Sequence, residues 1–237
     1  AQGDLGMSYS SKKPVVDRML EALPGTVALA GTALVFTLLY ALPAGIISAL
    51  NRNKWIDYLL RAASFVGVSM PTFWLGLVLI YIFGLKLGLV PIASSRVTAT
   101  GVILPAITLA VVVGSKYMRQ VRLVILEEMQ KDYVIGARAR GVSEVKILFG
   151  HILPNAVLPL ITILGVLIGW LLGGVAVVEM VFSWPGLGNM AVYAITMRDY
   201  PLIEGFVLWV ALAYMCINAL VDASYILLDP RLKRERA

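Results

Sequence analysis

Charge is scarce in this chain. Only 14% of its 237 residues are Asp, Glu, Lys or Arg, against about a quarter in a typical soluble domain. The hydrophobic share is 59% and the mean hydropathy +0.86. A soluble protein of this size would be left with large adhesive apolar patches, so a water-soluble globule is excluded. Cysteine occurs once, as Cys216 inside an apolar run, and histidine once, as His151. A lone Cys supports no disulfide framework, and a metal needs several converging ligands; no metal site is expected. The chain contains no GxxxxGK phosphate loop, no nucleophile elbow and no HExxH pair, which excludes an ATPase and the common hydrolases. Its net charge of +6 is spread over the segments between apolar runs rather than gathered in a stripe, which argues against nucleic acid as a partner.

What the chain has instead is long charge-free runs, and these predict an all-α polytopic membrane protein. Thirty uncharged residues lie between Glu21 and Arg52, where about 20 suffice to cross the hydrocarbon core. Pro24 fits the start of that helix and Pro43 a kink or exit near its end. A second run lies between Arg61 and Lys86, with a bend or break expected at Pro71. The third lies between Arg96 and Lys116 and is expected to continue as helix through SKYMRQVRLVILEEMQK. The fourth spans Ile147 to Glu179, with Gly165 and Gly169 four apart as a close-packing signature. The fifth spans Gly205 to Leu228 and is interrupted by Asp222.

Charge counting orients these runs. Of the 20 Lys and Arg residues, six fall on one set of alternating loops and fourteen on the other. The positive-inside rule makes the richer set cytoplasmic. Residues 1–21 are then an extracytoplasmic lead-in, polar and unlike a signal peptide, residues 22–228 a transmembrane domain, and 229–237 a cytoplasmic tail. An outside N-terminus implies a sixth transmembrane helix upstream of Ala1.

The segment DYVIGARARGVSEVKILFGHILP, Asp132 to Pro154, is the longest stretch too charged to enter the bilayer. It belongs to a cytoplasmic loop spanning 126–154. Val145, Ile147, Leu148 and Phe149 give it an apolar face, and Gly141 separates two short helices, the second re-entering at His151 to Pro154. Gly141 either adopts a positive φ or admits a close approach by a partner. The arginines either contact a soluble partner or only satisfy the positive-inside rule.

Those residues carry a resemblance. ARARG at Ala137 to Gly141 and HILPNAVLP at His151 to Pro159 resemble the cytoplasmic "EAA" loop of ABC importer permeases, in the variant of the branch that handles dipeptides, oligopeptides, glutathione and nickel. The general pattern is Glu-Ala-Ala, three residues, Gly, nine residues, Ile-x-Leu-Pro. Here its Glu position is Ile135 and its leading Ile is His151, departures usual in that branch. GDLGMSYSSKKPV, VSMPTFWLG, EMVFSWPGLGNMAVYAITMRDYPLI and NALVDASYILLDPRLK follow in the family's order, so the likeness covers essentially the whole chain.

The resemblance implies the type I, MetI-like permease fold and a non-enzymatic subunit of the bacterial or archaeal inner membrane. It implies a second homologous permease, two cytoplasmic ATP-binding cassette subunits and an extracytoplasmic substrate-binding protein as partners, besides the lipid bilayer. This chain would bind no cofactor, ATP and Mg belonging to the ATPase subunits. Ala137, Arg138, Ala139, Arg140, Gly141, Val142, Ser143, Glu144 and Lys146, with His151 and Pro154, would form or flank a coupling helix seated on an ATPase. Glu179, Trp184, Pro185, Gly186 and Gly188 would form a re-entrant stretch at the outer mouth. Cargo is left open between peptides and nickel. From residue physics alone the rivals are an ion-coupled secondary transporter and a membrane scaffold whose basic loop binds lipid or a regulator.

The remaining singular residues have simpler readings. Asp222 is a candidate buried polar group that must pair or face water. Asp57 and Arg61, at i,i+4, pair on a cytoplasmic helix. Trp55 and Trp184 sit at the membrane interfaces.

Overall fold

In hydrocarbon a backbone can satisfy its hydrogen bonds only internally, so apolar runs become helices. The computed structural model describes residues 5–172 and 175–228, and side chains as far as Ser224. The tail 229–237, with Arg231, Lys233, Arg234 and Arg236, lies outside the described residues, as do the first four of the lead-in. In chain order the helices are α1 (Val15–Leu50), α2 (Trp55–Ser69), α3 (Thr72–Leu79, prolonged by a π-helical stretch, Ile80–Lys86) and α4 (Ile103–Glu128). Then come α5 (Asp132–Ala139), α6 (Glu144–Ile147), which passes through a π-helical stretch (Leu148–Ile152) into α7 (Leu153–Leu172), α8 (Ala176–Val181), α9 (Leu187–Thr196) and α10 (Tyr200–Leu228).

Among the described residues three helical stretches are long and apolar enough to cross a membrane: Val15–Leu50, Glu144–Leu172 and Tyr200–Ser224. A fourth span is formed if Trp55–Ser69 and Thr72–Lys86 count as one. They are interrupted where sequence chemistry requires, because Pro71 lacks an N–H and biases Met70 away from helix. Two boundaries differ from expectation. α1 starts at Val15 rather than near Pro24 and runs through both prolines to Leu50; a membrane helix tolerates such interruptions. α4 begins at Ile103, which leaves a short apolar stretch before Lys116.

The described residues fall into two compact units. The first comprises residues up to Phe36, Met70–Val112 and Ile168–Ile217; the second comprises Thr37–Ser69, Val113–Leu167 and the residues from Asn218 on. In the first, Val15, Leu187, Met190, Ala194 and Leu202 form a core. The core of the second gathers Ala41 and Ala49 of α1, Tyr117, Met118, Val121, Val124 and Ile125 of α4, Val134 and Ala137 of α5, and Ile147, Leu148, Ile152, Ala156 and Leu160 that follow.

Within the second unit Asp57 is wholly buried, and its main partner is not Arg61. The Arg122 guanidinium forks onto it, Nε to Oδ1 and Nη2 to Oδ2 both at 2.8 Å. Ser48 donates at 2.6 Å and the Asn53 N–H at 3.0 Å. Arg61, the expected i,i+4 partner, does form an ion pair with Asp57, but at 3.6 Å from Oδ1 it is too far for a hydrogen bond. Ser64 Oγ donates to the Ser115 carbonyl at 2.7 Å, so α2 and α4 run antiparallel. α7 and α10 approach closely at Gly165, where a Cβ would overlap the Val221 side chain. Gly165→Leu is expected to lower stability by about 1–3 kcal/mol through overpacking, read as a lower thermal midpoint in detergent, whereas Leu164→Met is expected to change it little.

Candidate functional site

The expected cytoplasmic segment folds as helix, turn, helix. α5 ends in a Schellman motif: the Gly141 N–H donates to the Arg138 carbonyl at 2.9 Å and the Val142 N–H to that of Ala137 at 3.2 Å. The reversal places Gly141 at φ +76°, where a side chain is strained whatever the room around it. Nothing lies within 4 Å of the position a Cβ would take. Glycine is therefore favoured here by backbone conformation rather than by lack of space. The second helix begins at Glu144, earlier than the His151 re-entry point, and Val142 packs beside Ala137 on the core of the second unit.

The apolar residues of this segment split into two groups. Ile147 and Leu148 are buried with Val134 and Ala137, but Val145 is 68% exposed, Phe149 66% and Ile135 54%. The expected single apolar face is thus corrected: a four-residue helical rise turns Val145 and Phe149 away from Ile147 and Leu148. Arg138, Ala139, Arg140, Ser143, Glu144 and Lys146 are exposed beside them. Arg138 forks onto Glu144 across the turn, Nε to Oε1 at 2.7 Å and Nη2 to Oε2 at 3.0 Å. Arg140 and Lys146 make no ion pair among the described residues. Behind the segment, buried Glu128 accepts from Lys131 Nζ and the Tyr133 hydroxyl, each at 2.6 Å. Burial, with that carboxylate, pushes the Tyr133 phenol up to about 12. His151 is half-buried and its carbonyl accepts from Asn155 Nδ2; Pro154 is exposed.

Glu179, Trp184, Pro185, Gly186 and Gly188 come together in the first unit. Glu179 is fully buried. Its Oε1 accepts from Thr26 Oγ1 and its Oε2 from the Asn189 N–H, both at 2.8 Å. Thr26 Oγ1 in turn accepts the Leu187 N–H at 2.8 Å. The carboxylate therefore neutralises the N-terminus of α9, where aligned N–H groups favour negative charge. A Cβ at Gly186 would collide with the carboxylate and one at Gly188 with Ala176. Trp184, expected at the lipid interface, is instead wholly buried with its indole N–H on the Gly25 carbonyl at 2.8 Å; a buried indole needs such an acceptor.

Asp222 is exposed on α10, which corrects its reading as a buried polar group. Asp199, passed over in the sequence, is wholly buried. It accepts from Ser8 Oγ at 2.6 Å, Ser10 Oγ at 2.8 Å, and the Tyr9 and Ser10 N–H groups at 3.0 Å. The only sequence signal was its place before Tyr200-Pro201, a helix-start position.

Comparison with known proteins gives this geometry a context. Residues 41–234 match the family described as "Binding-protein-dependent transport system inner membrane component". The chain belongs to that family. It is 39% identical, over 98% of its length and 76% of the relative's, to the glutathione transport system permease protein GsiC of Escherichia coli O6:H1. The identity to the same-named protein of Shigella boydii serotype 4 is 38% with the same coverage. Among solved structures, an inward-facing MetNI methionine ABC transporter superposes with a TM-score of 0.73 at 20% identity, covering 90% of this chain and 96% of that one. An amino acid ABC transporter crystallised with histidines gives 0.65 at 17%, covering 88% and 92%. The fold is the all-helical MetI-like ABC permease fold. This permease is a multi-pass inner-membrane subunit of a binding-protein-dependent importer, in a family that typically binds no cofactor and leaves ATP hydrolysis to a separate subunit.

The Asp199 tie has a calculable pH dependence. Burial raises its pKa, but the hydrogen bonds from Ser8, Ser10 and Tyr9 more than offset this and hold it below the ordinary carboxylate value. A lowered pKa contributes stability that is fully present above about pH 4 and lost as pH falls towards the folded value. Protease protection of the lead-in is expected to stay level from neutral pH down to about 4 and then decline. Asp199→Asn is expected to cost about 2 kcal/mol and to abolish that acid limb.

Proposed function

We propose that this permease couples a transmembrane path for small peptides to a cytoplasmic ATPase through the exposed side of α5 and α6. The observation that carries this reading is the pairing of a rigid back with a free front. Val134, Ala137, Ile147 and Leu148 are anchored in the core of the second unit, while Ile135, Val145 and Phe149 stand exposed beside Arg140 and Lys146. A mixture of apolar anchors and unpaired cations is the composition of a protein-docking face rather than of a solvated loop.

In this reading α1, the interrupted α2–α3 pair, α4, α7 and α10 are five spans. α4 crosses with its Lys116, Arg119 and Arg122 stems reaching the cytoplasmic interface. The loop 126–154 and the tail 229–237 are cytoplasmic, residues 1–21 extracytoplasmic, and the intervening 22–228 carry the transmembrane path. A homologous permease supplies the other half of that path, two cassette subunits bind ATP and Mg, and a binding protein delivers cargo near Glu179, Trp184, Pro185, Gly186 and Gly188. The identity to glutathione permeases favours a short peptide such as glutathione; nickel has no specific support.

Two measurements test this. In the reconstituted importer, Gly141→Val is expected to lower binding-protein-stimulated ATP hydrolysis and uptake about tenfold, since a β-branched residue is strained at φ +76°. Gly141→Asn, which tolerates that conformation, is expected to retain most of both; equal activity in wild type and Gly141→Val would refute the coupling role. In a deletion strain complemented with the whole importer, uptake of labelled glutathione is expected and uptake of nickel is not. The opposite pattern would overturn the cargo assignment.

A further inference from the structure

The antiparallel register of α2 and α4 brings together charges that the chain does not neutralise. Asp57 meets Arg122 on one side and Ser64 meets the Ser115 carbonyl on the other. Arg61 stands one turn beyond Asp57 on α2, and Arg119 one turn before Arg122 on α4. Both line a single open cleft of about 630 Å³ together with Tyr58, Phe65, Val66 and Leu123. The one carboxylate there, Asp57, is already filled by Arg122, Ser48 and the Asn53 N–H. Arg61 Nε is buried and has no hydrogen-bond acceptor, its side chain resting over the Tyr58 ring at 4.8 Å. Arg119 is exposed and makes no ion pair among the described residues. Three guanidiniums, those of Arg61, Arg119 and Arg122, thus share the single carboxylate of Asp57, and the excess positive charge around the cleft amounts to an anion site.

The rest of the cleft selects the anion. On α2, Tyr58, Arg61, Ala62, Phe65 and Val66 share one face at helical spacing, with the charge at one end and the apolar side chains beyond it. Phe65 is 67% exposed and Leu123 50%. A polar head with an apolar extension is thus matched in order along the helix. Arginine forks suit the paired oxygens of a phosphate, and basic pockets between membrane helices on the cytoplasmic side are suited to anionic headgroups. We propose that Arg61 and Arg119 hold the phosphate of an anionic phospholipid in the cytoplasmic leaflet, its acyl chain lying along Phe65, Val66 and Leu123. The leaflet rests on the orientation proposed above; the binding chemistry does not.

The test uses the purified importer in nanodiscs of mixed phosphatidylglycerol and phosphatidylcholine, with retained lipid read by native mass spectrometry. Wild type is expected to retain phosphatidylglycerol in preference. At roughly fivefold per arginine, the preference is expected to fall about thirtyfold in R61Q/R119Q. R119Q alone, which breaks no internal contact, is expected to lower it about fivefold, guarding against misfolding of the double variant. Equal retention of the two lipids by wild type, or undiminished preference in both variants, overturns the proposal. So does protection of Arg119 from phenylglyoxal by inorganic phosphate or glutathione but not by phosphatidylglycerol, which would assign a soluble anion. Loss of a partner subunit with lipid retention unchanged would assign the arginines to a subunit contact and also overturn it. Nanodiscs expose both leaflets, so a wrong orientation leaves these results intact and is detected separately, by labelling Lys54→Cys from one side of sealed vesicles.

Discussion

A carboxylate withdrawn from water must be paired or fully hydrogen-bonded, because an uncompensated buried charge costs several kcal/mol. Among the described residues four acids are buried; Glu128 meets that demand locally, with Lys131 and Tyr133, and the other three meet it with segments far away in sequence. Asp57 joins α2 to Arg122 of α4 and Ser48 of α1. Glu179 joins α8 to Thr26 of α1 and the first turn of α9. Asp199 joins the start of α10 to Ser8, Tyr9 and Ser10. Apolar packing alone slides easily between helices that differ little in surface, and in a membrane it lacks a hydrophobic driving force. The acids supply directional contacts that admit one register. Of these three only Asp57 uses a cation; Glu179 and Asp199 rely on N–H and O–H donors.

This explains which parts of the molecule were legible beforehand. Apolar runs and the break at Pro71 are local properties, as is the left-handed turn at Gly141, and the sequence exposes them directly. Partner choice is not local. Arg61 is the i,i+4 neighbour of Asp57 and looked sufficient, yet the fork geometry and the burial of Asp57 favour Arg122, 65 positions away. Trp184 carries an ordinary interfacial signature, but the Gly25 carbonyl that accepts its N–H belongs to another helix. Asp222 erred in the opposite direction. A charge within an apolar run suggests burial, whereas an end of a long helix can leave it uncovered.

The α5–α6 segment depends on the same division between local and distant. Its turn is built from its own backbone, with the Schellman bonds and the Arg138–Glu144 fork both closing within a few residues. Its stiffness is borrowed from the core of the second unit, which continues into α4 and α7 through Val121, Ile125, Ala156 and Leu160. Close-packed interiors transmit displacement instead of absorbing it. A push on Val145 or Phe149 must therefore move Ile147 and Leu148, and with them the helices to which they are packed. A loop held only by its ends would dissipate that push in its own backbone.

Charge asymmetry can then be read at a finer grain than topology. Of the basic residues on the richer side, Arg122, Lys131 and Arg138 are spent on Asp57, Glu128 and Glu144. Among those left without an acid in the described residues, Arg140 and Lys146 lie on the front of α5–α6, and Arg119 lies beside Arg61 in the α2–α4 cleft. Charge that served orientation alone would gain nothing from being gathered in one cleft between two helices, where like charges repel. Arg61 lies over the Tyr58 ring and 3.6 Å from Asp57, with its Nε lacking a hydrogen-bond acceptor. Such an arrangement is stable when an anion from outside the chain completes it, and the helices that bear it then carry their counter-charge from the membrane itself.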